Sequence, residues 1–427
     1  MPQRKYSKTQ TRVAKATKRI TLPIELDKYN QMLTDNITFR SWLDQMIGLH
    51  PELFPSDIGA GYILHDILPA SLKLPEVRLR RIRLCLNDAE GQAQVFTIAP
   101  SAVLPYMTGY TDEVEKALFL RRFGVPFWGL TYVFGRDDSY WERLSRSLGH
   151  YAIVGTTLKD PQKLPEHLVA DEKHVHFKGQ KAYIATTVAQ DCVLGASLAL
   201  SADEAALTQA YGYFKQEAQT LLPAYAPQSV NTDGWLATQK AWQALFMTIT
   251  LIECFLHAFL KIRDRCKHLK TLFPQIKDYV WSIYHASDAA DFRQQMTQFQ
   301  SWAQQVVTGT ALEAIEKLVA KTDRFVLAFD YPQAYRTSNM IDRLMEPMAR
   351  WLFSARAFHG HWRSAELQVR AWALCHNFWP YCPRANVCRH YLSPAHKLNG
   401  FVYHQNWLHN LLISSSSTGL CLNHRKC

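Results

Sequence analysis

Apolar residues recur along the chain with two different periods, and the switches between them mark where elements begin and end. Over residues 76–99 the run EVRLRRIRLCL alternates, with Arg78 and Arg80 set against Val77, Leu79 and Ile82. That alternation predicts strands, and its slip at Arg80–Arg81 predicts a bulge there. From Leu22 to Asp66 the apolar positions are scattered and give only a weak helical reading. TDEVEKALFLRRFG then carries helix punctuation: Thr111 as cap, acids in the first turn, arginines in the last and Gly124 as the stop. VPFWGLTYVFG and SYWERLSRSLG follow, separated by a polar turn at 136–138. Three short helices with brief turns suit a helix-turn-helix unit and suit any small helical bundle equally well.

The character changes at residue 166. HLVAD, KAYIATTVA and CVLGASLAL are short apolar or β-branched runs parted by KGQ and QD, which predicts an antiparallel meander. Residues 202–221 and 235–246 have helical spacing, SVNTDG between them reads as a strand, and 247–257 is ambiguous between strand and buried helix. From 258 to 330 the pattern is all helix, with Phe292, Met296, Phe299, Trp302 and Val306 at spacings of three and four. Helix resumes from Asn339 to about Phe358, and the last fifty residues are rich in aromatics, His and Pro.

Charge adds a partner to this picture. The chain of 427 residues carries a net charge of +11, concentrated at its ends. Residues 1–20 hold seven Lys or Arg and no acid, and residues 350–427 hold nine against the single acid Glu366. Basic ends suit a polyanion, because each neutralised phosphate releases a condensed counterion; a solvated surface with a basic tail is the plainer alternative. Nine scattered cysteines do not form a secreted disulfide framework. Met247–Leu260, the most apolar stretch, is interrupted by Glu253 and His257 and is too short to span a bilayer. A reducing cytoplasm is the expected location, with no membrane partner.

Three acids occupy informative positions. Asp171 stands at the end of the first meander strand, Asp233 ends the SVNTD strand, and Asp342 lies one turn into the helix opened by Thr337-Ser338-Asn339. Carboxylates projecting from rigid ends into a shared cleft are what two-metal phosphoryl chemistry requires: hard oxygen ligands holding Mg²⁺ ions ~3.5–4 Å apart. Cys254, His257, Cys266 and His268 invite a zinc reading, but C-x2-H-x8-C-x-H is not a standard finger and the segment reads as buried. Cys375, Cys382, Cys388 and His390 form a second, looser cluster. Trp235 could stack on a frayed base or simply belong to the core.

NTDGWLATQKAW followed by LIECFLHAFLKIRDRC resembles the block around the second aspartate of Mutator-like transposases and related bacterial insertion-sequence transposases. There an Asp is followed by a small residue and a Cys-x-x-His, matched here by Asp233, Ala237, Cys254 and His257. RTSNMIDRLMEPMARWL resembles the Thr-x-Asn-x-x-Glu helix of the same families, with Asn339 in place and Asp342 where they have glutamate. Glu346, one turn further on, is the alternative third acid. The likeness covers roughly residues 166–372.

The resemblance implies a DDE transposase that cleaves transposon ends and transfers strands with two Mg²⁺ (or Mn²⁺) ions on Asp171, Asp233 and Asp342. Cys254, His257 and Asn339 would support the site. It implies an α/β fold, a ribonuclease-H-like mixed five-stranded sheet with an all-helical insertion, behind a mainly helical N-terminal DNA-binding region. The expected divisions are a basic flexible arm at 1–21, the N-terminal region at 22–160, the core's first part at 161–258, the insertion at 259–330, the closing helix at 331–372 and an aromatic, basic tail at 373–427. DNA phosphates would meet Arg4, Lys5, Lys8, Arg12, Lys15, Lys18 and Arg19 in the arm, and Arg343 and Arg350 on the late helix. A nucleoid-associated homodimer or larger synaptic complex also follows from the family. The alternatives are a domesticated DNA-binding protein without catalysis and a nuclease of the same core without strand transfer.

Overall fold

A computed structural model describes residues 18–354, 358 and 360–417. The fold is mixed α/β and contains two mixed sheets. The first sheet is built from β1 (Arg19–Leu22), β2 (Tyr62–Leu68), β3 (Leu79–Asn87) and β4 (Ala93–Pro100), in the order β1-β4-β3-β2. Helices Leu26–Met32 and Asn36–Leu49 complete this layer, burying Tyr29, Phe39 and Leu43 against Ile82 and Ile98.

The slip in the β3 alternation has a physical cause. Arg80 turns inward, and its guanidinium donates to Leu33 O at 2.5 Å and to Asn36 Oδ1, closing the end of helix Leu26–Met32. Arg81 faces outward and pairs with Asp66. The extra residue of the bulge lies on β2, between Leu64 and Ile67, and not on β3 as the sequence suggested.

The second sheet contains β5 (His167–Phe177), β6 (Gln180–Ala189), β7 (Cys192–Ala199), β8 (Ser229–Thr232) and β9 (Thr250–Glu253), in the order β7-β6-β5-β8-β9. β5, β6 and β7 form the antiparallel meander, joined by two-residue turns at Lys178-Gly179 and Gln190-Asp191. All four turn residues have positive φ, the twist that tight hairpins require. β5, β8 and β9 run parallel, connected by helices Glu204–Leu221 and Leu236–Leu245. Those helices bury Leu207, Phe214 and Trp242 against one face of the sheet through Ala170, Leu194 and Val230. Helices Asn339–Ser354 and Trp362–Phe378 cover the other face through Val169, Val188 and Val193.

Helices Thr111–Leu120, Phe127–Phe134 and Asp138–Ser147 match the three short helices expected, yet they pack into the core of the second sheet, through Leu118, Leu130 and Trp141. The region behind the first sheet therefore ends near Val103, and it is a sheet with helices and not a mainly helical unit. Between β9 and helix Asn339–Ser354 the chain is helical, from Phe255–Cys266 through Phe273–Tyr284, Ala289–Val306 and Gly309–Val319 to Thr322–Val326. This insertion has its own core around Phe255, Ile276, Phe292, Phe299 and Ile315, and it leaves the sheet uninterrupted.

Both expected appendages differ from the sequence reading where they are described. Arg19 begins β1, and its guanidinium is turned inward to donate to the carbonyls of Val103 and Leu104, so it is not an arm residue free to meet phosphate. Lys18 just before it is exposed, whereas Arg4, Lys5, Lys8, Arg12 and Lys15 lie outside the described residues. Nor are residues 373–417 a tail. Helix Trp407–Ser414 buries Leu408, Leu411 and Leu412 in the core of the second sheet and Ile413 in that of the first. Beyond it, the Ser416 hydroxyl accepts from Thr21 N and donates to Thr21 O, both at 2.9 Å, and covers the free edge of β1.

Helix Trp362–Phe378 crosses the chain at Gly149 with no room for a side chain: a Cβ there would sit within the backbone of Leu367. Gly149→Ala is expected to cost several kcal/mol, at the upper end of overpacking effects, or to prevent soluble expression. Gly48→Ala, inside helix Asn36–Leu49 with nothing nearby, should instead raise stability by about 1 kcal/mol. Thermal unfolding of the two variants beside the parent checks both.

Candidate active site

Asp171 is not at the end of its strand but in the middle of β5, where strand pairing changes. β8 accompanies β5 only through the Val169–Asn231 pair, whereas β6 continues beside it to Phe177. Beyond Asn231 the ladder between the two parallel strands ends, so Asp171 has no partner on β8. Asp233 follows the last residue of β8 and turns sharply: its Oδ1 accepts from Trp235 N at 2.8 Å, and Gly234 adopts φ 88°. Only glycine fits there, since a Cβ would strike the Glu253 carboxylate at the end of β9. Glu253 is buried, with its charge met by Lys321 and, at 3.4 Å, by Arg324. These pairs fasten the end of the helical insertion to the turn that carries Asp233.

Asp342 occupies the first turn of helix Asn339–Ser354, where the helix dipole favours a carboxylate. Its Oδ2 accepts from the Ser338 hydroxyl at 2.9 Å. Ser338 is the hub of a small clamp. Its backbone N–H donates to Cys254 Sγ at 3.1 Å, and its hydroxyl lies 3.2 Å from that sulfur and 3.3 Å from His257 Nδ1. Cys254 and His257 thus tie the start of the insertion to the helix bearing Asp342. Glu346 points elsewhere: it is exposed and pairs with Arg350 at 3.1 Å. Asn339 and Arg343 are exposed on the same helix and line a separate cavity with Thr337 and Tyr381. Trp235 packs edge-on to Tyr183, 5.9 Å between ring centroids.

Electrostatics link the three aspartates. Burial pushes the Asp171 carboxyl up to about 6, and the charges of Asp233 and Asp342 add to the rise, against a bond from Glu172 N and the nearby His257. His257 is pushed up to about 9, first by its hydrogen bond to Cys254 and then by Asp342 and Asp171. Burial raises the Cys254 thiol, but hydrogen bonds from His257 and Ser338 outweigh it and leave the thiol below its ordinary value. Among the described residues, no Lys or Arg forms an ion pair with Asp171, Asp233 or Asp342. The three acids feel one another's charge, and the raised His257 supplies the positive charge beside Asp171 and Asp342.

Among the described residues, no group of three or more His, Cys, Asp or Glu side chains is placed to hold a metal ion. Neither zinc reading gains a grouping there: Cys375 is buried while Cys382 is exposed. Asp171, Asp233 and Asp342 offer hard oxygen donors from three elements, the donor type a divalent cation takes, but they are not gathered into such a group.

Glu172 is the residue that sequence reasoning missed. It follows Asp171 and faces the opposite side of the sheet, where its Oε1 accepts from Tyr211 OH at 2.8 Å and Thr238 Oγ1 at 2.7 Å. Burial lifts it to about 7. The signal was present in the DE pair: adjacent acids in a strand flanked by apolar runs cannot both face solvent.

With this geometry in place, comparison with known family models and with curated proteins returns no match. Among the described residues no helix is long and apolar enough to cross a membrane.

The raised Asp171 group makes a stability prediction. Its unfolded value near 3.8 lies below the folded value of about 6, so the folded chain retains a proton that the unfolded chain has lost. Stability therefore falls as pH rises from about 4 to 6, and the full penalty of about 3 kcal/mol at most persists above that. Asp171→Asn removes the charge while keeping an oxygen for Glu172 N. In chelator at pH 8 its Tm should exceed the parent's by a few degrees, and the gain should vanish near pH 4. Equal Tm values at pH 8 would contradict the assignment.

Proposed function

We propose that the second sheet is a ribonuclease-H-like catalytic core and that the chain is a DDE-type transposase, cutting DNA at transposon ends and joining the ends to target DNA. The observation that carries this reading is the convergence of Asp171 from the central strand, Asp233 from the end of its parallel neighbour and Asp342 from a helix beyond an all-helical insertion. The strand order, three antiparallel then two parallel, supports the fold; the three carboxylates support the chemistry.

In this reading Asp171, Asp233 and Asp342 would hold two Mg²⁺ or Mn²⁺ ions. The ions supply activation of the attacking oxygen and stabilisation of the leaving oxygen at the scissile phosphate. The chain's own residues set the geometry. The end of the β5–β8 ladder leaves Asp171 without a partner on β8, the Gly234 turn aims Asp233, and the Ser338 hydroxyl fixes the rotamer of Asp342. Attack is in line, first by water and then by the freed 3′-hydroxyl, so no covalent protein–DNA bond forms and no Ser or Tyr nucleophile is required. Exposed Arg343, and Arg350 with its partner Glu346, lie along the same helix and could hold flanking phosphates. Pairing of two DNA ends calls for a dimer or larger assembly.

The test is incubation of the protein with DNA flanking its own gene in Mg²⁺, scored for end-specific nicks and joined products. Asp171→Asn, Asp233→Asn and Asp342→Asn are each expected to abolish both products while leaving DNA affinity intact, and Glu346→Gln to lower them modestly. An inactive Glu346→Gln beside an active Asp342→Asn would move the third ligand one turn along the helix. Nicks without joined products identify a nuclease; binding without nicks identifies a DNA-binding protein that has lost catalysis.

A further inference from the structure

A cavity of about 560 Å³ opens beside Asp233 and runs away from the sheet into the helical insertion. Its walls are helices Phe255–Cys266 and Gly309–Val319, which pack side by side. On the first helix Ala258, Lys261 and Arg265 form one stripe at spacings of three and four; on the second, Ala314 and Lys317 answer it. The small alanines leave the groove its depth, while the three cationic side chains are exposed along its rim. Among the described residues no carboxylate forms an ion pair with Lys261, Arg265 or Lys317, although Glu313 also lines the groove. Lys321, the remaining cation of the lining, is already committed to Glu253.

We propose that this groove receives unpaired nucleotides of the DNA strand that leaves the catalytic aspartates, holding their phosphates on Lys261, Arg265 and Lys317. The proposal rests on the transposase reading for the identity of the strand. Charge selects a polyanion, and continuity with Asp233 selects the strand being cut. The volume suits a group of nucleotide size and is too small for a duplex. A cationic groove over an apolar floor is also the usual means of following a single strand without reading its sequence.

The experiment compares two probes in chelator, a flush duplex and the same duplex carrying a short unpaired poly-dT extension, with the full chain and the triple variant Lys261→Ala/Arg265→Ala/Lys317→Ala. The parent should bind the extended probe more tightly. The variant should lose about tenfold in affinity for it and about 2 in the slope of log K against log salt, as three single-strand phosphate contacts require. Its affinity for the flush duplex should stay within about twofold. Lys261→Arg/Lys317→Arg should restore parental binding. Equal binding of the extended probe by parent and variant would overturn the proposal, as would an equal loss on both probes, which marks a general duplex surface. Preferential binding of an acidic peptide over the extended probe would overturn it too. The parent's cleavage assay is read separately: selective loss on the extended probe in a chain that cuts nothing keeps the groove and removes the transposase reading.

Discussion

Like charges held together in a poorly solvated cleft repel one another, and the second half of this protein is organised around resisting that repulsion. Asp171, Asp233 and Asp342 come from three different elements, and no Lys or Arg among the described residues pairs with them. Each is anchored by a neighbour that accepts no charge in return: Glu172 N, Trp235 N and the Ser338 hydroxyl. Burial first, and the charges of Asp233 and Asp342 after it, push the Asp171 carboxyl up to about 6.

The insertion does more than lengthen the chain. It is tied at its start through Cys254 and His257 to Ser338, and near its end through Lys321 and Arg324 to Glu253. Those ties meet the carboxylates at both ends: one at the foot of the Asp342 helix, the other at the Gly234 turn. An element with its own hydrophobic core is thereby coupled to Asp233 and Asp342, the two acids that flank it in sequence. Movement of this bundle would change the distance between Asp233 and Asp342 directly.

Much of this was legible in the sequence because it depends on local order. The meander was readable from runs of β-branched residues broken by turn pairs, the insertion from its heptad-like spacing, and Asp342 from its place just after Ser338. What escaped depends on contacts between residues far apart. β1 is recognisable only through its parallel pairing with β4, some seventy-five residues on, so Arg19 looked like one more charge in a basic arm. Arg80 reads as an exposed residue of an amphipathic strand until Leu33 O and Asn36 claim it. Asp171 was placed at a strand end because apolar residues stop there; the strand itself continues, held by β6 alone. The aromatic C-terminus looked like a tail because its helices bury nearly every face, which removes the amphipathic signal.

That C-terminal segment has a consequence for how the protein comes into being. Ser416 closes the edge of a strand made near the start of the chain, and His409 reaches Ser101 at 2.9 Å in the same layer. Ser416 lies 395 positions beyond the Thr21 it caps, so the first sheet cannot complete this edge until that long stretch of chain has been made. Chains cut short before Ser416 would keep that edge exposed, prone to join one another and to be cleared by proteases. Only a chain that extends through Ser416 acquires this closed edge.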